Sequence, residues 1–209
     1  MTTLEVVTIF VISYIAGAVS FSQVIAWIVK GVDLRTVGTK TVSGTSLYRV
    51  AGFVPLAAAG LLDIGKGAVG PLLADPVQHP TTAAIAAGLA VVGHNWSPFL
   101  QGAGGRGISP SIGALAAGRW PGSLLLLAAL GIGRLVKHTG LVSFVGMVAL
   151  IPLLGGLYGV DGAAYGAAVT LPMLIKRVLG NEMPVDTRGG RVFVTRLLFD
   201  TDDVSPPRR

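Results

Sequence analysis

The sequence contains no cysteine, which removes disulfides, thiolate metal sites and cysteine nucleophiles together. Charge is nearly as scarce: Asp, Glu, Lys and Arg make up 12% of the 209 residues, about half the fraction found in an ordinary soluble domain. What is abundant is apolar surface, with 52% hydrophobic residues and a mean hydropathy of +0.71. A soluble domain of this length cannot enclose that much in one core, so the solvent is lipid. The same hydrophobicity excludes intrinsic disorder. Thirty glycines follow no collagen period and suit membrane helices, where small residues let backbones approach. The fold class read from these facts is all-α, a polytopic membrane helix bundle.

Sixteen Lys and Arg against ten Asp and Glu give a net charge of +6, but the basic residues lie between apolar runs. A nucleic-acid binder would spread them over a polar surface, so nucleic acid is excluded as a partner. Membrane lipids and an anionic substrate at the membrane face remain. The first run, Val6–Val29, follows Glu5 and is too long for the apolar core of a signal peptide, so it is expected to be a retained span. Further spans are expected at Gly52–Ala74, Thr81–Leu100, Pro121–Arg134, Thr139–Leu157 and Gly162–Leu179, with a short one at Ile108–Gly118. The distribution of Lys and Arg selects about seven spans with the N-terminus outside and the C-terminus cytoplasmic, leaving Arg119 on the unfavourable side. Residues 1–182 are expected to form one transmembrane domain and 183–209 a short basic cytoplasmic tail. Gly155-Gly159 and Gly162-Gly166 are small-xxx-small pairs that suit close packing of the last helices.

Three polar features then share one face of the membrane. The loop from Gly38 to Arg49 carries Thr39, Lys40, Thr45 and Ser46 and is expected to run straight into a span. Backbone N–H groups, hydroxyls and an arginine fork at such a place suit a phosphate, although a solvated loop facing anionic headgroups has the same composition. The second loop, Gly102 to Gly107, surrounds Arg106 with glycines. Glycine allows close backbone approach to an anion, and a plain connector reads the same way. It lacks the Lys-Ser/Thr ending of a Walker loop.

The third feature is Asp63 and Lys66, three residues apart within a span. They share a helix face and are expected to be a buried organising pair first, with ligand contact as the alternative. His94 is expected to be a polar helix-end residue. No metal-ligand spacing is present, so no metal and no cofactor are expected. Trp27, Trp96 and Trp120 suit an interfacial belt, and Ser143 suits a hydrogen bond between helices.

In one order, the sequence carries Asp33-Leu34-Arg35, the Gly38–Arg49 loop before Gly52, Asp63-x-x-Lys66-Gly67, Gly93-His94, Pro98-Phe99-Leu100 and Gly104-Gly105-Arg106-Gly107. Ending at Gly180-Asn181-Glu182, this series resembles the bacterial acyl-phosphate-dependent glycerol-3-phosphate acyltransferases over about residues 10 to 182. The resemblance implies a multi-pass plasma-membrane enzyme of phospholipid synthesis with its active face in the cytoplasm. Such an enzyme transfers a fatty acyl group from acyl phosphate to glycerol 3-phosphate, giving lysophosphatidic acid. It implies catalytic roles for Thr39, Arg49 and Glu182. Phosphate holding falls to Gly38, Lys40, Thr45, Ser46, Gly104, Gly105, Arg106 and Gly107. The sequence departs from the family pattern at Thr39 (Ser in the family), Lys40 (Gly), Thr41 and Ser46 (both Asn), Ala103 and Arg106 (both Lys), and Leu171 and Leu174 (His and Asn). Leucine cannot replace a hydrogen-bonding group. A non-catalytic descendant that binds anionic lipid or serves as a partner subunit is therefore the alternative. Lys40 is a candidate replacement for the charge missing at Ala103.

Overall fold

The computed structural model describes residues 1–38, 40–181 and 190–201. Among these the chain is helical, with no strand. Its helices are α1 (Thr3–Ala18), α2 (Phe21–Lys30), α3 (Gly44–Ala51), α4 (Phe53–Ala74), α5 (Pro80–Asn95), α6 (Ile108–Gly118), α7 (Trp120–Leu135), α8 (Thr139–Leu179) and α9 (Arg191–Phe199). Three stretches are long and apolar enough to cross a membrane: Thr3–Lys30, Phe53–Ala74 and Thr139–Leu179. Leu4, Ile28, Val54, Leu61 and Val160 are each more than 70% exposed, a surface that only lipid can cover without cost.

The first apolar run is two helices, not one. A capping box between Thr2 and Glu5 starts α1, and the chain leaves helical geometry at Val19 and Ser20. Ser20 caps α2 by accepting from the Gln23 N–H. A broken helix exposes carbonyls on one side and N–H groups on the other, and inside a membrane both need partners. Here α4 supplies them: Lys66 donates to the Val19 carbonyl, while the Phe21 N–H donates to Asp63 at 3.4 Å. Each charge also opposes the helix dipole end that it meets.

The loop expected to run directly into a span instead enters α3, an eight-residue helix separated from α4 by Gly52 at φ 82°. The third predicted span ends early, because α5 stops at Asn95 and Pro98–Leu100 forms a 3-10 turn. Proline has no N–H and disfavours helical geometry in the residue before it.

The longest helix, α8, has 41 residues, about 60 Å of helix against about 30 Å of hydrocarbon. It folds back on itself at Gly159, whose φ 65° and ψ −148° are not helical. Its halves pack antiparallel: Thr170 Oγ1 donates to the Met147 carbonyl at 3.0 Å, and Gly166 lies against Leu150 and Ile151. Of the four small residues expected to pack, Gly155, Gly162 and Gly166 do so, whereas Gly159 touches nothing and forms the apex. Helix α6 is short but central. Pro110 to Leu115 are buried, with Gly113 against the Ile64 backbone and Gly67 against Pro110.

The main core joins α1, α5, α6, α7 and α8 around Leu115, Leu150, Leu154, Tyr165 and Met173. A second, smaller cluster of Ala26, Leu34, Val42, Leu47, Ala59 and Leu100 lies beneath the polar loops, with Ala103 packed against it. Apolar burial therefore anchors both candidate anion loops.

Candidate anion-binding site

The two loops meet. Val42 N–H donates to the Gly104 carbonyl at 3.1 Å. Asn181, just beyond α8, completes the joint: its Nδ2 donates to the carbonyls of Lys40 at 2.8 Å and Gly104 at 3.0 Å, and its Oδ1 accepts from Gly104 N–H at 3.1 Å. One amide side chain thus ties the first loop, the second loop and the end of α8 together. At the outer edge, Arg35 Nη1 reaches Gln101 Oε1 at 3.4 Å. The same guanidinium binds the Asp33 carboxylate at 2.7 Å. That hydrogen bond holds Asp33 below the usual carboxylate range and raises Arg35 in return.

In the first loop Gly38 and Lys40 both have left-handed backbone, φ 55° and φ 54°. Arg49 is exposed, and its guanidinium lies so close over Gly38 that a methyl there would be 2.8 Å from Nη1. Thr45 is exposed on the first turn of α3, while Lys40 is exposed beside it in the loop. Ser46 is buried, and its hydroxyl donates to the Thr41 carbonyl at 2.7 Å. Thr39 and Glu182, both expected in the site, lie outside the described residues.

Three of the four second-loop glycines are required by packing. A side chain on Gly104 would enter the His94 and Asn95 carbonyls, one on Gly105 the His94 ring, and one on Gly107 would meet Val91 and Asn95. Arg106 has only 14% of its side chain exposed. It donates to the Arg177 carbonyl at 3.3 Å and pairs with Asp200 at 2.5 Å.

Behind this loop lies the intramembrane pair. Lys66 Nζ is 2.7 Å from Asp63 Oδ1 and 3.0 Å from His94 Nδ1. An ammonium only donates, so His94 accepts at Nδ1 and carries its proton on Nε2. Ser22 adds a hydroxyl to Asp63 at 3.3 Å. The group therefore runs from the α1–α2 break through Lys66 to His94, whose ring supports Gly105. Asp63 and Lys66 thus find their partners inside the protein, as a buried ion pair requires. His94, read from the sequence as a separate helix-end residue, belongs to it.

Four further residues were not foreseen in the site: Asn181, Lys176, Arg177 and Asp200. Lys176 is 1% exposed, and its Nζ lies 5.2 Å from the centre of the Trp96 ring. Trp96 thus covers a buried cation, unlike the exposed Trp27 and Trp120. Arg177 is buried and donates to the Gly140 carbonyl at 2.7 Å, spanning the base of the α8 hairpin. Ser143, expected to bond between helices, is buried with its hydroxyl unpaired. At the two family-motif positions, Leu171 is 54% exposed and Leu174 packs against the main core.

A cavity of about 250 Å³ opens beside the second loop, lined by Val19, Ser20, Gln23, Val24, Trp27, Phe99 and Leu100. Among the described residues no group of three His, Asp or Glu could hold a metal. The described side chains thus set two cation-bearing loops next to an apolar recess.

The family model described as glycerol-3-phosphate acyltransferase matches residues 7–180. A glycerol-3-phosphate acyltransferase of Shouchella clausii is 37% identical over 123 residues, 57% of each chain. One from Thermoanaerobacter sp. is 32% identical over 147 residues, 68% of this chain and 73% of the relative. The chain thus spans less than two thirds of the Shouchella relative and somewhat more of the other. The crystal structure of PlsY (YgiH), an integral membrane glycerol 3-phosphate acyltransferase, in its glycerol 3-phosphate form superposes with a TM-score of 0.73. That match has 26% identity and covers 87% of this chain and 96% of that one.

Proposed function

Because the chain belongs to the glycerol-3-phosphate acyltransferase family, we propose that it is the enzyme that transfers a fatty acyl group from acyl phosphate to glycerol 3-phosphate in phospholipid synthesis. The observation that carries the site assignment is the Asn181 joint, which brings two cation-bearing loops together. Further support comes from PlsY, whose crystal structures have glycerol 3-phosphate and lysophosphatidic acid forms. The acceptor hydroxyl oxygen attacks the acyl carbonyl carbon, the bond from that carbon to the phosphate oxygen breaks, and inorganic phosphate leaves with the hydroxyl proton as lysophosphatidic acid forms. Acyl phosphate already carries a good leaving group, so the protein supplies position and charge stabilisation.

In this reading Arg49, Thr39, Lys40, Thr45 and the Gly38 backbone hold one phosphate. Ser46 shapes that loop from beneath, since its hydroxyl is already engaged. Arg106, among Gly104, Gly105 and Gly107, holds the second anion, and Glu182 positions the loops. The apolar cavity beside Leu100 suits the acyl chain. Asp63, Lys66 and His94 are structural. The charge pattern supports seven spans in the plasma membrane, with the N-terminus outside and the loops cytoplasmic. Residues 1–182 are the catalytic domain and 183–209 an appended tail.

The apolar residues at Leu171 and Leu174 favour one second reading, a descendant that binds anionic lipid without turnover or acts as a partner subunit. The experiment that separates them supplies protein in lipid bilayers with labelled glycerol 3-phosphate and one of three acyl donors: acyl phosphate, acyl-CoA or acyl carrier protein. Labelled lysophosphatidic acid is expected with acyl phosphate alone and is lost in Arg49→Ala. Absence of product from protein that binds acyl phosphate selects the second reading.

A further inference from the structure

We propose that Asp200 sets the affinity of the second loop for anionic substrate by holding the place of a phosphate on Arg106. The inference rests on the assignment of Arg106 as an anion-holding residue. It concerns α9, which lies beyond the 7–180 stretch shared with the family.

Helix α9 is docked by specific contacts. Val192 is 4% and Arg196 3% exposed. Arg196 Nη1 donates to the last carbonyls of α8, Leu179 at 2.9 Å and Val178 at 3.4 Å. Helix ends leave such carbonyls without partners, and a cation suits them. At the other end, the Phe199 backbone runs against Gly140, where a side chain would collide with it. The helix therefore bridges the two feet of the α8 hairpin.

Its last turn delivers a carboxylate. Asp200 is left-handed at φ 58° and ψ 36°, with its N–H donating to the Arg196 carbonyl at 3.0 Å. Its Oδ1 is 2.5 Å from Arg106 Nη1 and 3.7 Å from Arg177 Nε. Arg106 and Arg177 thus face this carboxylate with two positive charges, and Lys176 adds a third close to Arg106. A phosphate monoester carries about −1.5 to −2 and three acceptor oxygens, so it matches the cluster better than a carboxylate does. A carboxylate held in place by a docked helix competes as an intramolecular ligand. Substrate therefore competes with Asp200 for Arg106, and the tail raises the concentration at which the site fills.

The test is equilibrium binding of sn-glycerol 3-phosphate, and separately of inorganic phosphate, to the full-length protein in lipid nanodiscs. Asp200→Asn removes the competing charge. Arg196→Ala releases α9 while leaving Asp200 intact. Both are expected to bind about three- to fivefold tighter than wild type, the scale of a partly exposed ion pair, and Asp200→Glu to bind as wild type. On an Arg106→Ala background, Asp200→Asn is expected to give no gain. Unchanged or weaker binding in Asp200→Asn overturns the proposal, since it makes Asp200 a positioning residue for Arg106 or a bystander. So does wild-type protein that binds neither probe when the variants bind neither. Failure of the activity reading is seen elsewhere, as absent acyl transfer with this binding pattern intact.

Discussion

Asn181→Ala removes the side-chain part of the joint between the loops and leaves the Val42–Gly104 backbone bond in place. Its side chain makes two donor contacts, to Lys40 and Gly104, and accepts one from the Gly104 N–H. Each neutral hydrogen bond contributes about 1 kcal/mol net, and water at this half-buried position recovers part of the sum, leaving a loss of about 2 kcal/mol. That corresponds to about a 30-fold lower population of joined loops. The two loops are assigned to different anions, so separating them misaligns donor and acceptor, and kcat is expected to fall with kcat/KM. Asn181→Asp keeps only the acceptor and turns a carboxylate toward two carbonyl oxygens, so it is expected to lose more. The assay is steady-state lysophosphatidic acid formation in bilayers, varying each substrate. An Asn181→Ala enzyme within twofold of wild-type kcat/KM for both substrates would refute the reasoning, whatever its thermal stability.

Other consequences follow from the same geometry. Lys66→Met leaves Asp63 buried and unpaired and is expected to cost about 3–5 kcal/mol. Asp63→Asn on that background should recover part of it in detergent unfolding curves, and no recovery would argue against a paired role. Gly159→Ala meets no neighbouring atoms, so its expected cost of about 1–3 kcal/mol is purely backbone strain. Equal stability of that variant would mean that the hairpin apex is not held at its observed dihedrals. Gly105→Ala drives a methyl into the His94 ring and is expected to cost about 1–3 kcal/mol. His94→Ala should then restore Gly105→Ala more than it restores wild type, a coupling visible in a double-mutant cycle.

The apolar runs were legible because a lipid-facing helix writes its length directly into composition, as α4 and α7 do. The breaks were harder. Val19-Ser20 looks continuous with its surroundings, and its stability comes from Asp63 and Lys66, more than 40 residues away. Gly159 resembles any packing glycine until its dihedrals are known: unlike Gly155 it is left-handed at φ 65° and a side chain there would meet no neighbour. The two anion loops were legible from glycine, hydroxyl and cation content, whereas the Asn181 contacts that tie them were not, because Asn181 was read only as part of the closing Gly180-Asn181-Glu182 motif. Glycines 104, 105 and 107 read as room for a ligand, whereas their close contacts are with α5 and α8. Arg106 was found, but its present partner was not. Asp200 sits beyond the stretch that resembles the family, in a tail whose composition gives no hint of a docked helix.

The most direct measurement of the central claim is sided. Sealed vesicles of known orientation receive acyl phosphate in the lipid phase, with labelled, membrane-impermeant glycerol 3-phosphate on one side only. Labelled lysophosphatidic acid is expected only when glycerol 3-phosphate meets the face that carries Arg49 and Arg106, the side opposite the N-terminus, and none is expected from Arg49→Ala. Product formed equally from the N-terminal side, or from Arg49→Ala at the wild-type rate, would contradict the claim.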